Sequence, residues 1–303
     1  MEVNQLRYFV AVAKTGSFSK AAAMCYVSQP ALSEQIQKLE HEVGKPLFNR
    51  NRRKIIPTTA GRLLIERANR ILNEVEEAKQ EVQASDGITS GKISIGVLPT
   101  IAPYFLPHVF AQFTQKCPET EVMVHEDMTA RLLQMTDAGE LDVGILSLPI
   151  KENGFEIEEL FTEELLLALP SNHPLAAKEK IKIEDLCPEK FILMKEGHCL
   201  GDQALVFCHR HDFRPHIVLR SSQIETIQSL VMAGLGVSLV PQMAKMTGRL
   251  PLIYRSLEKP RPTRTIVAVW RSKREPSAAL QEFLKHLRQV AKTFVTTSQG
   301  AKS

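Results

Sequence analysis

No apolar run in the sequence approaches the ~20 residues that a membrane span requires. The first apolar stretch, Tyr8 to Ala13, meets Lys14 too early for a secretory leader. A cytoplasmic protein with no membrane partner is therefore expected. Cysteine is scarce: five in 303 residues, an odd number without framework spacing. That excludes a disulfide-stapled secreted fold and fits a reducing compartment, where a disulfide would be regulatory rather than structural. Internal repeats and low-complexity tracts are also missing, which excludes solenoid and linker-like chains. The length exceeds the usual single domain of about 100–200 residues, so two or three domains are expected.

Positive charge is present but uneven. The net charge is +4, yet residues 1–62 hold ten Lys/Arg against four Asp/Glu, giving +6 and leaving −2 for the rest. A basic module on a slightly acidic body suits nucleic acid for the first part and another partner for the second. A solvated surface would carry the same charge, so the residue pattern has to decide.

Leu6, Phe9, Val10 and Ala13 recur at helical spacing after Asn4, which can serve as an N-cap, predicting a first helix over about 5–15 that stops at Thr15-Gly16. Ser17 or Ser19 can cap a short second helix through Lys20 to Met24, and a turn follows at Cys25 to Ser28. Ser28 caps a third helix with Pro30 in its first turn. Ala31, Leu32, Ile36, Leu39 and Val43 form its expected buried side, and Gln29, Ser33, Gln35 and Lys38 its exposed side. This is a helix-turn-helix pattern, whose last helix can enter the major groove. After Gly44, Arg50, Arg52, Arg53 and Lys54 lie between Leu47-Phe48 and Ile55-Ile56, as in a two-stranded wing touching the DNA backbone. Ser28, Gln29, Pro30, Ser33, Gln35, Lys38 and these four basic residues are the candidate contacts to double-stranded DNA.

From Thr58 to about Ser85 one long helix is expected. Leu64, Ala68, Ile71, Val75, Ala78 and Val82 follow a four-three alternation, a heptad seam whose simplest partner is the same helix of a second copy. Such a dimer would read a palindromic site, although the seam could also pack on its own chain. DGITSG at 86–91 reads as a hinge. Beyond it, KISIGVLPT, EVMVHE and LDVGILSL alternate with helical segments, which implies a parallel sheet. Thr100 and Thr129 fall at its ligand-binding edge, though each could be a plain helix cap. LLLALP (165–170), KFILM (190–194), SLVMAGLGVSLVP (229–241) and TIVAVW (265–270) predict further strands, and a last helix spans about 276–295. Two α/β subdomains with a cleft between them would fit.

KEGHCLGDQALVFCHRH (195–211) raises a separate question. If Cys199 and Cys208 share a helix, nine residues at ~1.5 Å rise put their backbones ~13 Å apart, beyond the about 7 Å that a disulfide spans. Linking them would unwind the segment. At a helix N-terminus beside His198, Cys199 should favour thiolate, which peroxide converts to a sulfenic acid that Cys208 can resolve. Two buried core thiols are the plain alternative. A zinc site with His198, His209 and His211 is a third, though its spacing fits no strong zinc pattern.

FSKAAAMCYVSQPALSEQIQKLEHEVGKPLFNR and PTTAG resemble the LysR-type transcriptional regulators, and the likeness runs over essentially the whole chain. The resemblance implies an N-terminal all-α winged helix-turn-helix plus long linker helix. It also implies a C-terminal α/β regulatory domain of two Rossmann-like, periplasmic-binding-protein-like subdomains. The expected boundaries are 1–58 for the DNA-binding domain, 59–88 for the linker and dimerisation helix, and 91–303 for the regulatory domain. Within the last, subdomain I takes about 91–162 and 268–303 and subdomain II about 163–267. A homodimer or homotetramer and contact with RNA polymerase are further implications, with no cofactor and no metal.

GHCLGDQ followed by FC, with LPT at 98–100, HE and Thr129, and TRTI at 263–266, is similar to the hydrogen-peroxide-sensing activators of that family. That similarity implies that Cys199 is the peroxidatic and Cys208 the resolving cysteine, and that Thr100, Thr129, His198, Asp202 and Arg264 line the peroxide pocket. It also implies hydrogen peroxide as the signal, glutaredoxin or thioredoxin as the type of reductant, and oxidative-stress genes as the targets. Cys25, Cys117 and Cys187 receive no role. The competing readings are a regulator answering to a small organic anion with incidental cysteines, and a thiol peroxidase, for which a basic wing and a heptad helix have no use.

Overall fold

The computed structural model describes residues 1–49, 55–83, 91–245, 251–272 and 275–300. Among these, no helix is long and apolar enough to cross a membrane. The chain divides into two compact units, Met1–Ile88 and, but for residues 137–140, Thr89–Ser303.

In the first unit, α1 (Val3–Thr15) buries Leu6, Phe9, Val10 and Val12 and stops at Gly16, whose φ of 63° is left-handed. The Ser17 hydroxyl accepts from the Lys20 N–H to start α2 (Phe18–Met24), and Ser28 does the same from Ala31 to start α3 (Gln29–Val43). Leu32, Ile36 and Leu39 are fully buried, but Ala31 and Val43 are exposed, contrary to expectation. Ala31 lies one position off the buried stripe, and Val43 sits in the terminal turn beside Gly44. Strands β1 (Phe48–Asn49) and β2 (Ile56–Pro57) pair antiparallel as the base of a wing. Arg50, Arg52, Arg53 and Lys54 lie outside the described residues.

Helix α4 (Thr59–Gln83) packs on α1. The expected seam divides: Ala68 is buried and Leu64 half-buried against the head's own core, joined there by Ile65 and Leu72. Ile71 and Ala78 remain exposed and Val75 half-buried. The side chain of Val82 and residues 86–90 of the expected hinge fall outside the described residues. The early part of the seam thus serves the head's own core, which periodicity could not separate from a partner-facing stripe.

The second unit runs β3 (Gly91–Val97), α5 (Ala102–Lys116), β4 (Thr120–Glu126), α6 (Thr129–Ala138), β5 (Val143–Ser147), β6 (Phe155–Pro170), β7 (Lys190–Met194), α7 (Cys199–Arg210), β8 (His216–Ser221), α8 (Ile224–Met232), β9 (Ser238–Pro241), β10 (Leu252–Arg255), β11 (Thr263–Arg271) and α9 (Ala278–Gly300). The main sheet has the order β10-β6-β11-β5-β3-β4, with β9 also on β6. The strands expected to lie parallel do so, β3 pairing in parallel with β4 and β5, and the antiparallel pairs of β6, β9, β10 and β11 make the described sheet as a whole mixed. The physical reason is β11, which returns from the second subdomain and enters antiparallel between β5 and β6. A separate small sheet pairs β7 with β8 in parallel.

Two hydrophobic cores result. Ile93, Ile95, Val97, Phe105, Phe113, Val143, Ile145, Phe161, Ile266, Val267 and Phe283 belong to the first. Leu165, Leu167, Leu169, Phe191, Ile192, Leu200, Cys208, Ile227, Val231 and Leu239 belong to the second. The 16-residue strand β6 contributes Phe161 to one core and Leu165 to the other. Ile266 and Val267 already sit in the first core, so the return crossing lies near Arg264, ahead of the expected boundary at 268.

Gly61 gives the PTTAG motif its physical content. A Cβ there would stand 2.2 Å from the Leu47 carbonyl oxygen, where the Thr58 N–H bonds 2.9 Å away. Gly61→Ala should therefore push the start of α4 off the wing and lower the stability of the N-terminal unit by about 1–3 kcal/mol. Chemical denaturation followed by circular dichroism reads this, and an unchanged midpoint would contradict it.

Candidate functional site

The exposed side of α3 presents Ser28, Gln29, Pro30 and Lys38, with Ser33 and Gln35 half-buried. Gln35 is committed to the fold: its Oε1 accepts from Nε2 of the buried Gln5 at 3.2 Å. Lys38 pairs with Glu34 at 2.9 Å in an exposed contact that a phosphate could replace. Sequence reasoning missed Tyr26 in the turn before α3. It stands 96% exposed on a left-handed backbone, φ 56°. A phenol in that position can reach a nucleic-acid backbone, and only the turn geometry reveals it.

In the second unit, the end of β7 leads through Gly197 (φ 88°) into α7. A Cβ at Gly197 would meet the Met128 sulfur at 3.2 Å, and one at Gly201 would meet the Met194 carbonyl oxygen at 3.0 Å. The two glycines of GHCLG therefore let the first turn of α7 lie close on its surroundings. Cys199 begins that turn, half-buried against the first core.

Arg264 dominates the neighbourhood, only 2% exposed at the start of β11. Its Nη1 donates to Thr100 Oγ1 at 3.0 Å and its Nη2 to the Thr100 carbonyl at 3.1 Å. Its Nε donates to Glu163 Oε1 at 2.7 Å. Thr100 is thus an acceptor for the guanidinium rather than a helix cap. The Thr129 hydroxyl at the start of α6 is buried without a hydrogen bond to any nitrogen or oxygen, and it acts on the Cys199 thiol.

The structure corrects the expectation of a thiolate. Burial pushes the Cys199 pKa up; the Arg264 charge, the Thr129 hydroxyl and the Leu200 N–H pull it down, and the Asp202 carboxylate adds to the rise. Burial wins, and the thiol holds its proton at rest. His198 is the half-buried residue before α7, its carbonyl accepting from Gly201 N at 2.9 Å. Asp202 is exposed. Thr129 and Arg264 therefore act on Cys199, Thr100 is held to Arg264, and Asp202 acts through its charge.

Cys208 lies in the second core, its thiol pushed up to about 11 by burial. Both cysteines are free and sit on one unbroken helix. Gln203 pins that helix: its Nε2 donates to Ser147 Oγ at 2.8 Å and to the Leu148 carbonyl at 2.5 Å, at the end of β5. Gln203, Ser147 and Glu163 escaped the sequence reading, because a lone Gln, Ser or Glu carries no spacing signal. Among the described residues, no group of three or more His, Cys, Asp or Glu side chains could hold a metal ion.

The LysR substrate binding domain model matches residues 67–292, and the model for bacterial regulatory helix-turn-helix proteins of the lysR family matches residues 3–62. The DNA-binding transcriptional dual regulator OxyR of Escherichia coli K12 is 39% identical over 273 residues, covering 89% of this chain and 90% of that protein. A full-length OxyR variant from Pseudomonas aeruginosa superposes with a TM-score of 0.79 at 31% identity, covering 96% of this chain and 95% of the other. A hydrogen-peroxide-bound OxyR mutant of Corynebacterium glutamicum does so with a TM-score of 0.67 at 30% identity, covering 99% and 95%.

Replacing Arg264 removes the largest influence holding the Cys199 pKa down and leaves Glu163 unpaired. Arg264→Gln should therefore raise the midpoint of the pH profile for Cys199 alkylation by about one unit, slowing alkylation at pH 7.5 about tenfold. Iodoacetamide labelling followed by peptide mass spectrometry measures it. A midpoint equal to that of the unaltered protein would count against this role for Arg264.

Proposed function

The chain belongs to the LysR family of transcriptional regulators, and we propose that within this family it senses hydrogen peroxide through Cys199 and signals by a Cys199–Cys208 disulfide. The family consists of DNA-binding regulators, not enzymes. The observation that carries the proposal is Cys199, packed against the first core and acted on by Thr129 and by an Arg264 held to Thr100, while Cys208, on the same helix, sits in the second core.

In the proposed first step, ionised Cys199 attacks one peroxide oxygen. An S–O bond forms, the O–O bond breaks, and the departing hydroxide takes a proton and leaves as water. Arg264 stabilises the negative charge as it passes from sulfur to oxygen, and the Thr100 and Thr129 hydroxyls offer hydrogen bonds to the two oxygens. In the second step the Cys208 sulfur displaces the sulfenic hydroxyl, again as water, to form the disulfide. The two thiols thereby give two electrons to peroxide, and a dithiol reductant of the glutaredoxin or thioredoxin class returns them. His198 and Asp202 border the site, and Asp202 limits ionisation at rest.

The remaining parts take their roles from the family and the pattern of residues. Residues 1–58 bind double-stranded operator DNA, with Ser28, Gln29, Pro30 and Ser33 as contacts in the groove and Tyr26, Lys38, Arg50, Arg52, Arg53 and Lys54 as contacts to the phosphate backbone. Residues 59–88 assemble the homodimer or homotetramer, and residues 91–303 sense. The disulfide changes how paired heads meet DNA and RNA polymerase, in a cytoplasm whose resting state keeps both thiols reduced.

A slight molar excess of hydrogen peroxide over reduced protein, with disulfides mapped by peptide mass spectrometry, tests this reading. The expected product is a Cys199–Cys208 crosslink within seconds, absent in Cys199→Ser. A slow, unselective oxidation would overturn it and favour an organic-anion effector.

A further inference from the structure

Glu163 lies at the crossing between the two cores, where β6 passes from Phe161 to Leu165. It is 8% exposed and faces Arg264 directly across the β6–β11 ladder. Its Oε1 receives Arg264 Nε at 2.7 Å, and its Oε2 receives the Met243 N–H at 2.8 Å from the 3-10 turn Gln242–Ala244. One carboxylate thus fixes both the guanidinium and the turn that follows β9. A buried carboxylate needs such satisfaction on both oxygens.

The Arg264 side chain is held on three nitrogens, by Glu163 at Nε and by Thr100 at both terminal nitrogens. A planar guanidinium bound in this way has no rotational freedom left. Arg264 from β11 and Asp202 from α7 act on the thiol, with His198 next to it in the chain, and Glu163 from β6 and Tyr104 from α5 interact with Arg264. Arg264 acts on Cys199 and on Tyr104, whose hydroxyl donates to Glu225 Oε1 at 2.5 Å. Among these groups Glu163 alone bonds directly to Arg264.

We propose that Glu163 is a positioning residue: it holds the Arg264 guanidinium against Thr100 beside Cys199, and its negative charge limits how much of the Arg264 field reaches the thiol. This rests on the peroxide-sensing reading. The sensor then has two settings built into one ion pair. Geometry from Glu163 places the cation where the departing hydroxide develops, and charge from Glu163, by restraining Arg264, adds to the burial that keeps the resting thiol protonated. A peroxide molecule entering beside Cys199 meets a placed cation but a thiol of restrained reactivity.

Glu163→Gln removes the charge and keeps an acceptor for Arg264, whereas Glu163→Asp keeps the charge and withdraws it by one methylene. In the full-length protein, Glu163→Gln should lower the pH midpoint of Cys199 alkylation by iodoacetamide, speeding labelling at pH 7 by about threefold or more. Glu163→Asp should leave that midpoint near the unaltered value and slow sulfenic-acid formation with peroxide about tenfold. Variants that lose thermal stability but keep both the alkylation profile and the peroxide rate would overturn the proposal, leaving a purely structural ion pair. Should Glu163→Gln fail to fold, an unaltered peroxide rate in Glu163→Asp overturns it alone. Alkylation needs no peroxide, so a failure of the peroxide reading would show separately, as an unaltered protein that labels as expected yet forms no disulfide.

Discussion

The constraint on which the regulatory unit turns is the unbroken helix α7. It carries Cys199 at its first residue and Cys208 in its last turns, each thiol packed into a different hydrophobic core. A helix nine residues long between two sulfurs holds their backbones ~13 Å apart, about twice what a disulfide tolerates. The helix therefore separates two groups whose joining would require its own loss. Gln203 at the end of β5 and the close seat of Gly201 against Met194 hold the first turns in place. Joining the cysteines must break these contacts and extract Cys208 from the second core.

Electrostatics decide when that cost is met. The Cys199 thiol is protonated at rest because burial outweighs the nearby cation. Arg264 is worth most to a charge that develops during reaction, since a preorganised cation in a dry site needs no further reorganisation. A low resting thiolate population with strong stabilisation of the leaving hydroxide discriminates against reagents that merely seek thiolate. Tying Arg264 to both Thr100 and Glu163 places that cation at the point where β6 and β11 cross between the cores. Under the proposed reaction, a change at the sulfur would bear on a junction shared by both subdomains.

Much of this organisation was legible from sequence because it rests on local signals. Gly16, Ser17, Ser28 and Pro30 mark helix ends by capping chemistry and do so in the structure, whereas Asn4 falls inside α1, whose N-cap is Glu2. The wing and the alternating segments of the α/β unit were readable from periodicity. What escaped was non-local. The antiparallel entry of β11 depends on the chain returning from a distant subdomain, which no window of sequence contains. The division of the α4 seam depends on which neighbours reach it: Ile71 and Leu72 look alike in sequence, yet Leu72 packs on the head and Ile71 is exposed. Thr100 and Thr129 were marked by their place at the sheet edge as well as by likeness to a family, Arg264 by likeness alone, whereas Glu163 and Gln203 needed coordinates. Even the Cys199 pKa was misjudged, since a helix terminus is visible in sequence and burial is not.

The central claim is that oxidation is coupled to the loss of α7, and hydrogen–deuterium exchange reads that helix directly. The backbone amides of residues 200–210 should be protected in the reduced protein and exchange rapidly after peroxide treatment, with Cys199→Ser remaining protected throughout. Oxidised protein that contains the Cys199–Cys208 bond yet keeps full protection over α7 would contradict the account.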